Sequence, residues 1–184
     1  MINNLPFIVE RYTHDIVTLK QAREWLRMDI PGYEEEDSVI LMAIESAVSR
    51  VEEECNLSLG ISEYVWNTHC LPGEFKDTFY VKSITSIEYR GTSDYLVAPA
   101  LDYELVQISK RRSVLLWAEK LSYSPDRVRI SFKAGFEQGK VPPIYLQIIR
   151  AMVSEHFDNR GDGVSEKKTL SEKLMDKVKI GYAG

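Results

Sequence analysis

The stretch "VRISFKAGFEQGKVPPIYLQIIRAMVSEHFDNRGDG", Val128 to Gly163, changes its hydrophobic period in the middle, and that change decides the fold class. Val128, Ile130 and Phe132 alternate with polar residues as in a half-buried strand. Gly135 and Gly139 break the chain, and Pro142-Pro143 suit the opening of a helix, since a first-turn proline lacks only an N–H that has no helical partner. Ile144, Ile148, Ala151 and Met152 then supply an apolar helical face, and Gly161-Asp162-Gly163 stops it. A strand that hands over to a helix predicts an α+β protein.

Working outward, the region from about 62 to 134 keeps the strand character. Tyr64, Trp66 and Thr68 alternate with Val65, Asn67 and His69, and Ile84, Tyr89, Tyr103, Leu105, Val114 and Leu116 continue it. Turn signals at Pro72-Gly73, Gly91 to Asp94, Lys110 to Arg112 and Ser124 to Asp126 cut it into short antiparallel strands. Upstream, Thr18-Leu19-Lys20-Gln21 is a capping box that opens a helix over 18–28, with Pro31-Gly32 beyond it. A longer helix over 37–56 follows the acidic run Glu34 to Asp37, whose charges favour a helix N-terminus. Its stripe is Ile40, Ile44, Ala47, Val48, Val51 and Cys55, and Asn56 is its left-handed stop. The third helix covers 143–159. The expected architecture is a bundle of three main helices with a small antiparallel sheet inserted between them, residues 1–163 forming one domain.

Residues 164–184 form a C-terminal tail with a second capping box, Thr169 to Glu172, and a narrow stripe of Leu170, Leu174 and Val178 with Met175 alongside. So short a helix is rarely stable alone. The tail carries five Lys against three acids, whereas the whole chain of 184 residues has a net charge of −5. The expectation is that this tail docks on a partner rather than on its own domain, through Leu170, Leu174, Met175, Val178, Lys173 and Lys177.

Composition narrows the function. A net acidic chain is a poor phosphate-backbone binder, which needs clustered Lys and Arg. A helix-turn-helix also fails: the connector from Asp29 to Glu34 is too long, and acids opening the second helix would repel phosphate. Cys55 and Cys70 form no C-x-x-C pair and no zinc set, so both read as small apolar residues in a reducing compartment. The N-terminus has no basic start followed by a sustained apolar core, so it does not read as a signal peptide. The longest unbroken apolar run, Val39 to Ile44, is far too short to span a bilayer, so no membrane role is expected.

Several residues invite a catalytic or metal reading. Glu155, His156 and Asp158 are spaced by one and two residues, which scatters them around a helix, so His156 reads as a surface or capping residue near a C-terminus. The run Asp158 to Gly163 lacks the third-position and twelfth-position ligands of a calcium loop, with Arg160 and Thr169 in their places. Arg160-Gly161-Asp162 spells an adhesion tripeptide, but a helix stop explains it. Glu52-Glu53-Glu54 reads as a solvated helix face. A metal-dependent enzyme joining Glu52–Glu54 to Glu155–Asp158 and a small monomeric binding module are the alternatives. No P-loop, nucleophile elbow or dinucleotide fingerprint occurs, and neither an enzyme nor a cofactor is expected.

"LRMDIPGYEEEDSVILMAIESAVSRVEEECN", Leu26 to Asn56, together with "VRISFKAGF", Val128 to Phe136, and "VPPIYLQIIRAMVSEHFDNR", Val141 to Arg160, resembles the head-to-tail connector (adaptor) proteins of tailed bacteriophages. In that family a short Lys-rich helix ending in Leu-Arg-Ile-Asp precedes acids and a long helix ending in Val-Glu-Glu and a Thr-Gly stop; a strand, an Ala-Gly-Tyr turn, Val-Pro and a closing helix follow later. Cys55-Asn56 in place of Thr-Gly and a long loop from Leu71 to Thr78 depart from the pattern. The resemblance implies a non-catalytic virion structural protein at the head–tail interface, assembled in the host cytoplasm. It implies a homo-oligomeric dodecameric ring that binds the portal above and a head-closure or tail protein below. DNA would pass through its channel during packaging and ejection without sequence-specific binding, and a net acidic body suits such a passage. Leu41 and Met42, which lie off the main stripe of the long helix, widen the surface available for ring contacts.

Overall fold

The computed structural model describes residues 5–28, 32, 34–70, 72–75, 80–90, 95–97, 103–109, 112–117, 127–158 and 168–179. The turns expected at 91–94 and 124–126, residues 71 and 76–78 of the expected long loop and the 159–163 helix stop lie outside these residues, while Glu74–Phe75 of that loop form a short strand. The protein is α+β, with four α-helices and two antiparallel sheets among the described residues. The chain divides into two interleaved units, residues 1–13 with 60–137 and residues 14–59 with 138–184. The residues expected to form a separate tail therefore count with the helical unit.

The first unit holds β1 (Phe7–Glu10), β2 (Ser62–Thr68), β3 (Glu74–Phe75), β4 (Val81–Arg90), β5 (Tyr95–Val97), β6 (Tyr103–Ser109), β7 (Arg112–Trp117) and β8 (Val128–Ala134). They form two sheets, ordered β1-β2-β8-β4-β5 and β3-β7-β6, where the sequence suggested one. β2 pairs with β8 without a slip, from Ser62 opposite Ala134 to Thr68 opposite Val128. That register puts Tyr64 on Phe132, and their rings stack at 5.3 Å. Phe75 meets Phe132 edge-on at 5.0 Å, so the short β3 delivers one fully buried ring to the core. Ile87, Leu115, Val128 and Ile130 complete that core. β1 lies outside the expected 62–134 region: four residues are too few to show a period, and it is held by pairing with β2. Two glycines are required by backbone rather than chance. Gly135 turns the chain out of β8 at a φ of 117°, and a Cβ on Gly60 would overlap the Tyr12 ring.

The helical unit holds α1 (Leu19–Leu26), α2 (Asp37–Cys55), α3 (Pro143–Asp158) and α4 (Leu170–Val178). Thr18 caps α1 as expected, and Arg27 ends it in the left-handed conformation. A 3-10 turn over Glu34–Glu36 leads into α2, where Arg23 grips Asp37 through two hydrogen bonds of 2.8 and 2.6 Å and ties the two helices together. Asn56, at a φ of 49°, stops α2 as read from sequence. Ile40, Ile44, Ala47, Val51 and Cys55 are buried, while Val48 is only half-buried. On α3 the buried stripe is Tyr145, Ile148, Ile149 and Val153 rather than Ile144, Ala151 and Met152. Apolar residues occupy almost every position from Ile144 to Ile149, so the period alone left the face ambiguous, and the large ring of Tyr145 takes the deeper place. The α2–α3 contact forms the centre of this unit, and no described helix is long and apolar enough to cross a membrane.

Candidate docking surfaces

Helix α4 is seated on its own unit, against α2 and α3, which corrects the expectation that the tail docks on a partner rather than on its own domain. Met175 and Val178 are buried, and Cys55 Sγ lies 3.5 Å from Met175 Sδ. The physical reason is that α4 does not depend on its own turns. The Glu155 carboxylate of α3 accepts the Ser171 N–H at 3.0 Å and its hydroxyl at 2.6 Å, satisfying one of the N–H groups left over at a helix start. Thr169 and Glu172 close a capping box, and Lys179 binds Glu54 at 2.7 Å just past the other end. Fixed at both ends, the helix presents Leu170, 61% exposed, with Lys173 and Lys177 on its outer side and Leu174 half-buried between.

These contacts also settle how the acids and the histidine are used. Glu52 is not solvated: it is buried, accepts the Leu59 N–H at 2.8 Å, and so anchors the chain after the Asn56 turn. Glu53 is exposed, and Glu54 is occupied by Lys179, whose hydrogen bond and charge hold the carboxyl below the usual carboxylate range. His156 is exposed on the last turn of α3. Asp158 ends that helix, and the 159–163 segment lies outside the described residues. Among the described residues no three His, Cys, Asp or Glu side chains stand where they could hold a metal ion. A shallow groove of about 310 Å³ runs between α2 and α3, lined by Ala43, Ser46, Arg50, Met152 and His156. It is open, and its lining mixes apolar side chains with Ser46, Arg50, Glu155 and His156.

Apolar exposure is more informative than the groove. Leu41 and Met42 on α2 are 45% and 63% exposed, consistent with their place off the main stripe. Sequence reasoning missed a second surface in the first unit, where Ile108 of β6 and Leu116 of β7 are 57% and 50% exposed. The signal was there: "ELVQI" and "VLLW" place apolar residues at consecutive positions, so both faces of the hairpin carry them. Phe7 and Val9 of the edge strand β1 are also exposed.

No family model matches the chain, and no curated relative matches it. Solved structures do. A chain in the neck of an empty GTA particle computed with C6 symmetry is 16% identical over 95% of both chains, at a TM-score of 0.68. A chain in the virion of a native gene transfer agent particle gives the same three values. A chain in the neck of a native GTA particle computed with C12 symmetry is 17% identical over 94% of both chains, at a TM-score of 0.62. The likeness spans the elements of both units rather than one common motif.

Proposed function

We propose that this protein is a structural subunit of a phage-type neck, a head-to-tail connector that forms a closed ring under the portal. The observation that carries the reading is the fold match over 95% of this chain and 95% of a neck-particle chain. The ordered agreement of Leu26–Asn56, Val128–Phe136 and Val141–Arg160 with the connector pattern supports it independently. In this reading the ring joins the portal to a head-closure or tail protein, resides in the virion after assembly in the host cytoplasm, and does no chemistry.

The portal contact falls to the outer side of α4. Met175 and Val178 act indirectly, seating the helix, while Leu170, Leu174, Lys173 and Lys177 meet the portal; the lysines suit an acidic rim. Co-sedimentation of the purified chain with purified portal rings tests this, with mass measurement of the complex giving the copy number. The expected result is a ring of fixed stoichiometry on each portal. Leu170→Glu with Lys173→Glu is expected to weaken that binding at least tenfold while leaving the melting temperature unchanged. A chain that neither associates with itself nor binds the portal overturns the connector reading.

A further inference from the structure

The hairpin of β6 and β7 carries apolar side chains on both faces, although among the described residues only one face packs against the core of its own unit. The ladder pairs Tyr103 with Trp117 and Leu105 with Leu115, and these side chains face the core of the first unit. It also pairs Val106 with Val114 and Glu104 with Leu116 on the opposite face. An antiparallel strand with one wet face alternates apolar and polar residues, whereas consecutive apolar residues belong to strands packed on both sides. Here the second face is open, with Ile108 and Leu116 more than half or half exposed and Val106 and Val114 half-buried between them. β6 also ends its sheet: among the described residues it pairs only with β7.

We infer that this sheet face is one half of the contact between neighbouring subunits, and that its occupant is the α2 surface around Leu41 and Met42 of the next copy. The inference rests on the ring reading above and deepens it. A closed ring uses heterologous contacts, so every copy must carry two different complementary surfaces. The chain has such a pair, one apolar set on a sheet and the other on a helix, and a helix laid on a sheet face is an ordinary way to bury both. Ser38 and Ser46 stand four residues before and after Met42 and are exposed, so small side chains lie along that line of the helix, while the exposed Glu45 gives the patch a charged edge. On the sheet face Arg112 is paired with Glu74 at 2.6 Å and Glu104 is exposed, so the face disfavours an anionic occupant.

The test uses the full chain with two exposed-site variants, Ile108→Glu with Leu116→Glu on the sheet and Met42→Glu on the helix. Self-association is read by sedimentation over a concentration series, alone and on portal rings. Each variant by itself is expected to need at least tenfold more protein than the wild type to associate. Mixed in equal amounts, the two are expected to give a one-to-one dimer and nothing larger, because only one intact sheet-to-helix contact remains. Covalent trapping keeps the test valid if a charged variant unfolds: in a Cys70→Ser background, Leu116→Cys and Met42→Cys chains are mixed and treated with a short bismaleimide. A crosslink between the two chains is expected, and absence of it in assembled rings overturns the pairing. Wild-type rings with unchanged assembly of the sheet variant would remove this interface and leave the connector reading standing. A wild-type chain that stays monomeric, alone and on the portal, would remove both.

Discussion

Glu52 shows how much one buried carboxylate can organise. It sits on the apolar side of α2, yet its partner is a backbone N–H seven residues on, and a buried acceptor with a good donor is stabilising where an orphan is costly. Glu52→Ala leaves the Leu59 N–H without its acceptor and is expected to lower stability by about 1 to 3 kcal/mol in denaturant unfolding, with Glu52→Gln losing less. An unchanged midpoint for the alanine variant would show that water replaces the carboxylate. The exposed pairs on α4 behave differently. Hydrogen bonds and charge from Lys179 and Lys168 hold the carboxyls of Glu54 and Asp176 below their ordinary values, and Asp176 raises Lys168. A depressed folded-state carboxyl contributes stability above its unfolded value and loses it as pH falls through the folded one; the raised lysine loses its share as pH climbs past the ordinary lysine range. Amide protection over 168–179 is therefore expected to fall below about pH 4 while α2 and α3 stay protected, and to weaken in high salt. Protection that falls equally in all three helices would mean the pairs do not govern α4.

At the scale of elements, α4 is a helix whose stability is borrowed from its neighbours. Met175→Ala removes a buried side chain between helices and is expected to cost about 2 to 5 kcal/mol, and deletion of 164–184 is expected to lower the melting temperature of the remainder. A truncated chain melting like the wild type would restore the idea of an independent tail. Why α4 read as a tail is physical: its stripe and capping box were visible, but Glu155 and Glu54, which pin it, are 16 residues or more away in sequence. The same divide runs through the fold. α1 and α2 were legible to within a residue or two because capping boxes, acids and a left-handed Asn are local signals. The face of α3 was not, since a nearly continuous apolar run has no unique period. β1 and the split into two sheets depend on pairings across tens of residues, for which single-strand patterns carry no information.

For the whole molecule, interleaving matters more than the parts. The chain leaves the sheet unit after β1, builds two helices, returns for seven strands and leaves again, so each unit is closed by segments distant in sequence. Disrupting the helical centre therefore removes support for segments at both ends of that unit. Ile44→Asp, which buries a charge on the α2–α3 contact, is expected to abolish cooperative melting of the helical unit. The candidate site was only half legible for a related reason: Leu41 and Met42 lie on one helix and could be seen, and consecutive apolar residues marked the hairpin as apolar on both faces, but which of them share the open face needs the register of β6 against β7. Charge operates at the same scale and yields the last prediction. In the proposed ring each copy would carry a net charge of −5 and so add to an acidic field around the passage. Gripping duplex DNA releases counterions from neutralised phosphates and makes affinity fall steeply with salt, roughly in proportion to the number of phosphates engaged. A conduit that lets DNA slide should engage few. Assembled rings are therefore expected to retain no linear duplex DNA in filter binding at about 150 mM salt and to show a shallow salt dependence below it. Tight retention, with a slope corresponding to several phosphates per ring, would mean that basic side chains converge on the passage despite the acidic total, and the slippery-channel account would fall.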